Sequence, residues 1–77
     1  FSDIMIRARE NDLITGIVIE LKYSKSESGL ERDCRDALNQ INTRNYIQSL
    51  QKDGCKKILK YGIAFWHQKC RVMVEQS

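Results

Sequence analysis

Gly16-Ile17-Val18-Ile19-Glu20-Leu21-Lys22-Tyr23 is the stretch whose reading decides the fold. It is a β-branched apolar run with strand character, yet it carries a carboxylate and an ammonium near its end. The side-chain period of two along a strand puts Val18, Glu20 and Lys22 on one face and Ile17, Ile19, Leu21 and Tyr23 on the other. Burying an unpaired charge costs several kcal/mol, so two charges on one strand face form either an ion pair at a sheet end or a site that uses them. The site reading is preferred once the flanking segments are added.

Upstream, Ser2-Asp3-Ile4-Met5-Ile6-Arg7 alternates weakly and is rich in Ile, which predicts a first strand with Asp3 on the face opposite Ile4 and Ile6. Arg9-Glu10-Asn11-Asp12 between two apolar runs reads as a hairpin connection, so the strand over about residues 14–23 is its antiparallel neighbour. Downstream, residues 24–29 turn to Ser, Lys, Glu and Gly and mark a loop. Leu30, Cys34, Ala37, Leu38 and Ile41 then recur at three- and four-residue spacing, an amphipathic helix. Tyr46, Ile47 and Leu50 fall out of phase with that stripe, which predicts a break near residues 42–45 and a second helix or kinked continuation ending at Lys52-Asp53-Gly54, where Gly suits a left-handed cap.

Lys57 to Trp66 reads as a third strand, mostly buried, in which Gly62 lets a neighbour approach closely. His67-Gln68-Lys69 is a turn, and residues 70–75 alternate as an edge strand expected to turn Cys70, Val72 and Val74 inward. The order is strand, strand, helix or helix pair, strand, strand: an α/β fold of the α+β kind with a mixed sheet. Residues 1–77 make a single domain with a marginal core. Because the chain opens with Phe1 directly on a strand-like segment, it is expected to be a piece of a longer protein.

A net charge of +3 permits contact with polyanions without demanding it. Cys34, Cys55 and Cys70 are an odd number with no close pair, and there is one His, so neither a disulfide framework nor a zinc module fits. The cysteines read as small buried residues, with Cys55 exposed after the Gly54 cap, and the compartment as reducing and cytoplasmic. No apolar run approaches the roughly 20 residues that span a bilayer, so no membrane contact is expected.

With the first two strands adjacent, Asp3, Glu20 and Lys22 converge. Hard divalent cations such as Mg²⁺ are held by one or two carboxylates plus waters and phosphate oxygens. An ammonium beside them can orient or help deprotonate the attacking water and offset charge in a phosphoryl transition state.

Asp3 followed, after a spacer, by Glu20-x-Lys22 at the end of an apolar strand resembles the signature of the PD-(D/E)xK nuclease superfamily. The wider text, Ser2-Asp3-Ile4-Met5-Ile6, Ile17 to Lys22, Ala37-Leu38-Asn39-Gln40-Ile41 leading to Tyr46, and Lys60-Tyr61-Gly62-Ile63-Ala64-Phe65, resembles a branch of nuclease-like domains found C-terminal to predicted AAA-type ATPases. The resemblance implies a restriction-endonuclease-like core, Asp3 and Glu20 as Mg²⁺ (or Mn²⁺) ligands, Lys22 as the catalytic lysine, and Gln40 and Tyr46 as residues that arrange the site and contact nucleic acid. It also implies a helix ahead of the first strand, outside this chain, that often donates another acidic ligand. Ser2 stands where Pro often precedes the first acidic residue.

Three functional classes follow: a metal-dependent nuclease acting on DNA; a catalytically silent module on the same fold that binds nucleic acid or a partner ATPase domain; and a dimerisation piece using the edge strand near Val72. Beside them stand plainer readings. Glu20 and Lys22 alone can be a solvated ion pair, Asp3 a strand-entry residue, and Gln40 a polar residue on a helix margin. Arg44, Lys52, Lys56, Lys57 and Lys60 can form a phosphate-binding surface but are more often a solvated face. Tyr61, Phe65 and Trp66 can stack on bases, core packing being preferred for the first two.

Overall fold

The computed structural model describes residues 2–77. β1 (Ser2–Glu10) and β2 (Leu13–Tyr23) form a hairpin closed at Asn11-Asp12, where Asn11 takes φ 56. This is left-handed backbone that Asn tolerates better than most residues. A turn of 3₁₀ helix over Glu27–Gly29 leads into α1 (Leu30–Thr43), then α2 (Tyr46–Lys52), β3 (Lys57–Trp66) and β4 (Lys69–Gln76). The four strands run in the order β1-β2-β3-β4, with β2 and β3 parallel and the outer pairs antiparallel. The parallel central pair is what requires the helical crossover between β2 and β3. The expected α+β architecture, the break after α1 and the Gly54 cap, at φ 91, are all present.

Both helices lie on one side of the sheet. That side is built from Gly16, Val18, Glu20, Ile58, Lys60, Gly62 and Ala64, every one buried. Val18, Leu38, Ile41, Leu50, Cys55 and Ile58 make the main core cluster, and Leu30, Cys34 and Ala64 a second one nearer the start of α1. All five residues of the predicted helix stripe are buried. Gly62 explains how close α1 comes: a Cβ there would run into the Cys34 carbonyl oxygen and the Leu38 side chain. Since Glu20 is the β2 register partner of Gly62, the same close packing seals Glu20 from solvent, at 0 % exposure.

The opposite side is open. Ile4, Ile6, Val72 and Val74 are 43–52 % exposed there, and Ile17, Ile19, Ile63 and Phe65 are half-buried beside them. Expectations for β4, for the cysteines and for the aromatic residues of β3 are corrected. Cys70, Val72 and Val74 do not point inward: the register pairs them with Phe65, Ile63 and Tyr61 on the uncovered face, and it is Met73, opposite Gly62, that packs on the core. Strand alternation determines which residues share a face, but only the position of α1 determines which face is inside. The cysteines likewise reverse: Cys55 is buried against Leu50 and Gly16, whereas Cys70 is exposed. For the same reason β3 is fully buried only on alternate residues, and Trp66, on the helix side, packs against a core cluster while Phe65, on the uncovered face, lies ring to ring with Tyr23 at 5.8 Å. Among the described residues no helix is long and apolar enough to cross a membrane.

Candidate functional site

The β1–β2 hairpin places Asp3 directly opposite Glu20. Directly opposed residues hold their Cβ atoms about 5 Å apart on the same face, and two carboxylates so placed repel. Asp3 sits on the edge strand and is exposed, whereas Glu20 lies under the helical layer. Burial raises the Glu20 carboxyl above the ordinary carboxylate range; Arg44 opposes the rise, Asp3 adds to it, and the positive charge of Lys22 draws it back.

Arg44 holds the pair together. It is the first residue beyond α1, in extended backbone, with its N–H donating to the Gln40 carbonyl. From there its Nη1 reaches Asp3 Oδ2 at 3.2 Å, Glu20 Oε1 at 3.4 Å and the Tyr46 hydroxyl at 3.2 Å. The guanidinium carbon also lies 6.0 Å from the Tyr46 ring centre. Four of the residues in play are thus gathered at the end of α1: Asp3, Glu20, Arg44 and Tyr46. In the sequence alone Arg44 is one more cation beside the lysines of a solvated face, with no tie to the acidic pair. The available signal was its position in the helix break between Gln40 and Tyr46.

Two buried acceptor atoms have no hydrogen-bond partner among the described residues: Glu20 Oε2 and Gln40 Oε1. Unsatisfied buried oxygens are uncommon because each costs about 1–3 kcal/mol, so a pair of them invites an explanation. Lys22, two residues beyond Glu20 on the same face, is half-buried and lines a cleft with Tyr23, Lys25, Arg32 and Asp33. Lys60 does not belong to a phosphate-binding surface with the other cations. It is buried on the helix side, donates to Asn42 Oδ1 at 2.8 Å and lies 3.4 Å from Glu75, whose carboxyl is held below its ordinary range by the Asn42 hydrogen bond and by Lys60.

Among the described residues there is no cluster of three or more His, Cys, Asp or Glu able to hold a metal. The two-carboxylate set still fits a hard divalent cation. Mg²⁺ keeps several waters and is commonly bound through one or two carboxylates plus substrate oxygens, and Glu20 Oε2 is a buried oxygen without a hydrogen-bond partner among the described residues.

A model of the family described as the PD-(D/E)XK nuclease superfamily matches residues 1–75. Nucleases of this superfamily generally use divalent metal ions and act on nucleic acid. No curated protein and no solved structure matches the chain. The match spans nearly the whole sequence, and the strand order and helix placement agree with a restriction-endonuclease-like core: the chain belongs to the PD-(D/E)XK nuclease superfamily.

Proposed function

We propose that this chain carries the active centre of a Mg²⁺-dependent nuclease that hydrolyses DNA phosphodiesters, Mn²⁺ serving as an alternative ion. The observation behind this reading is the opposition of Asp3 and Glu20 across one antiparallel pair, with the buried Glu20 Oε2 lacking a hydrogen-bond partner among the described residues. In this reading Asp3 and Glu20 are the protein's two ligands to the ion. A cation bound there would supply positive charge to the scissile phosphate and to the attacking water. Lys22 hydrogen-bonds that water through its ammonium and offsets the negative charge that accumulates on the phosphoryl oxygens. Gln40 and Tyr46, at the end of α1 and the start of α2, arrange the carboxylates and contact the nucleic acid.

Calorimetric titration of Mg²⁺ and Mn²⁺ into this chain and into Glu20→Gln tests the assignment. Saturable binding that the variant loses supports it; no binding to the folded chain overturns it. Cleavage by the intact protein should be abolished by Glu20→Ala and by Lys22→Ala without loss of fold, and a fully active double variant would refute the mechanism.

One observation favours a second reading, a silent module that binds DNA or a partner such as an AAA-type ATPase domain. Arg44 already reaches both carboxylates. Such a module binds without metal-dependent cleavage, and if phosphates are its target its affinity falls steeply with salt.

A further inference from the structure

Arg44 stands where a cation would stand, and its contacts have an unusual form. Strong arginine–carboxylate pairs are bidentate, with two nitrogens each about 2.8 Å from an oxygen. Here a single nitrogen faces three oxygens, Asp3 Oδ2, Glu20 Oε1 and the Tyr46 hydroxyl, at 3.2–3.4 Å. One Nη carries two hydrogens, so three acceptors share them, and every contact is longer than a charge-assisted bond prefers. The side chain remains 41 % exposed, with open solvent to move into. Its backbone is anchored separately, through the N–H donated to Gln40 on α1, so the guanidinium can leave without disturbing the helix. It also leaves Glu20 Oε2 without a hydrogen-bond partner among the described residues. A divalent ion between the same carboxylates brings twice the charge and can engage an oxygen that Arg44 does not reach.

We propose, resting on the assignment of Asp3 and Glu20 as cation ligands, that Arg44 is the resident counter-ion of this pair and competes with the divalent cation for the same oxygens. Without a bound ion, the guanidinium therefore offsets part of the pair's negative charge from within. Loading the site displaces the guanidinium toward solvent, and cation affinity is set by the difference between the two occupants rather than by the carboxylates alone. Arg44 is a regulator of occupancy, not a ligand.

The test is Mn²⁺ calorimetry on this chain, on Arg44→Gln and on Arg7→Gln. The last removes the same charge from a pair with Asp53 and so controls for net charge. Arg44→Gln should bind Mn²⁺ about five- to tenfold more tightly, the size expected when one ion pair to a buried carboxylate no longer competes, while Arg7→Gln changes affinity less than about twofold. Equal or weaker binding by a folded Arg44→Gln overturns the proposal while leaving the metal reading standing. Absence of binding in every form overturns both. Should Arg44→Gln fail to fold, the unmodified chain decides: in ¹⁵N-resolved spectra of arginine side chains, the Arg44 Nε–H signal must shift saturably with Mg²⁺ and must not do so in Glu20→Gln. An Arg44 signal indifferent to Mg²⁺ at concentrations that saturate the site refutes the competition.

Discussion

At the scale of single residues, two of the charged side chains among the described residues, Lys60 and Glu20, are buried under the helices, and they differ in kind. Lys60 is buried but satisfied, donating to Asn42 and paired with Glu75. Glu20 is buried with one oxygen unpaired among the described residues, and desolvation is the largest influence on it. Removing each charge should therefore act in opposite directions. In cation-free buffer near pH 7, Glu20→Gln is expected to melt higher than the unmodified chain, because it removes a buried carboxylate with one bare oxygen; a lower melting temperature would show that the Arg44 contact outweighs desolvation. Glu75 has a clear sign with pH. Its carboxyl is lowered by Asn42 and Lys60, so the folded state holds the proton less tightly than the unfolded one. Its contribution is present above its ordinary value and is lost as pH falls through the folded one. Thermal melts of Glu75→Gln should lie modestly below those of the unmodified chain at neutral pH, Glu75 being half exposed, and converge with them in acid.

At the scale of elements, the site depends on how α1 meets the sheet. Gly62 lets the helix descend until the Cys34 carbonyl occupies the space of a Cβ, and Glu20, its register partner, is buried by the same contact. Gly62→Ala is expected to cost about 2–3 kcal/mol by overpacking, read from urea denaturation, and to weaken Mn²⁺ binding through the displaced α1. A stability within about 0.5 kcal/mol of the unmodified chain would mean that the helix yields freely. Leu50 plays a comparable part for α2: fully buried, it is among the nearest groups to the space that a Cβ on Gly16 would take. Leu50→Ala should cost about 2–5 kcal/mol. The close approach at Gly62 was readable in advance, because a glycine inside an apolar strand has few other uses. The inward set on β4 was not. Alternation separates Cys70, Val72 and Val74 from Arg71, Met73 and Glu75 but does not say which set faces α1, and both contain apolar residues.

At the scale of the whole molecule, the sheet is covered on one side only. The uncovered side presents Ile4, Ile6, Val72 and Val74 at 43–52 % exposure, with half-buried aliphatic and aromatic residues between them. Contiguous apolar surface of this kind is rare on soluble monomers and binds apolar probes. The natively folded chain should therefore enhance ANS fluorescence below its melting transition, and an Ile6→Lys, Val72→Lys double variant should reduce that signal while retaining the far-ultraviolet spectrum. Native protein that leaves ANS unaffected would indicate that the face is closed in solution.

By itself the sequence determined the elements, their order, the shared face of Val18, Glu20 and Lys22, and the family signature of Asp3 with Glu20-x-Lys22. These depend on periods of two and 3.6 residues and on turn chemistry, which are properties of near neighbours along the chain. Only the tertiary structure decided which sheet face is covered, that Lys60 is interior, and that Arg44 enters the acidic pair. Arg44 meets Asp3 across 41 positions of sequence and Glu20 across 24. No local pattern encodes such a meeting: it exists only because the hairpin registers Asp3 on Glu20, α1 packs down over Gly62, and the helix ends where a guanidinium can reach both carboxylates.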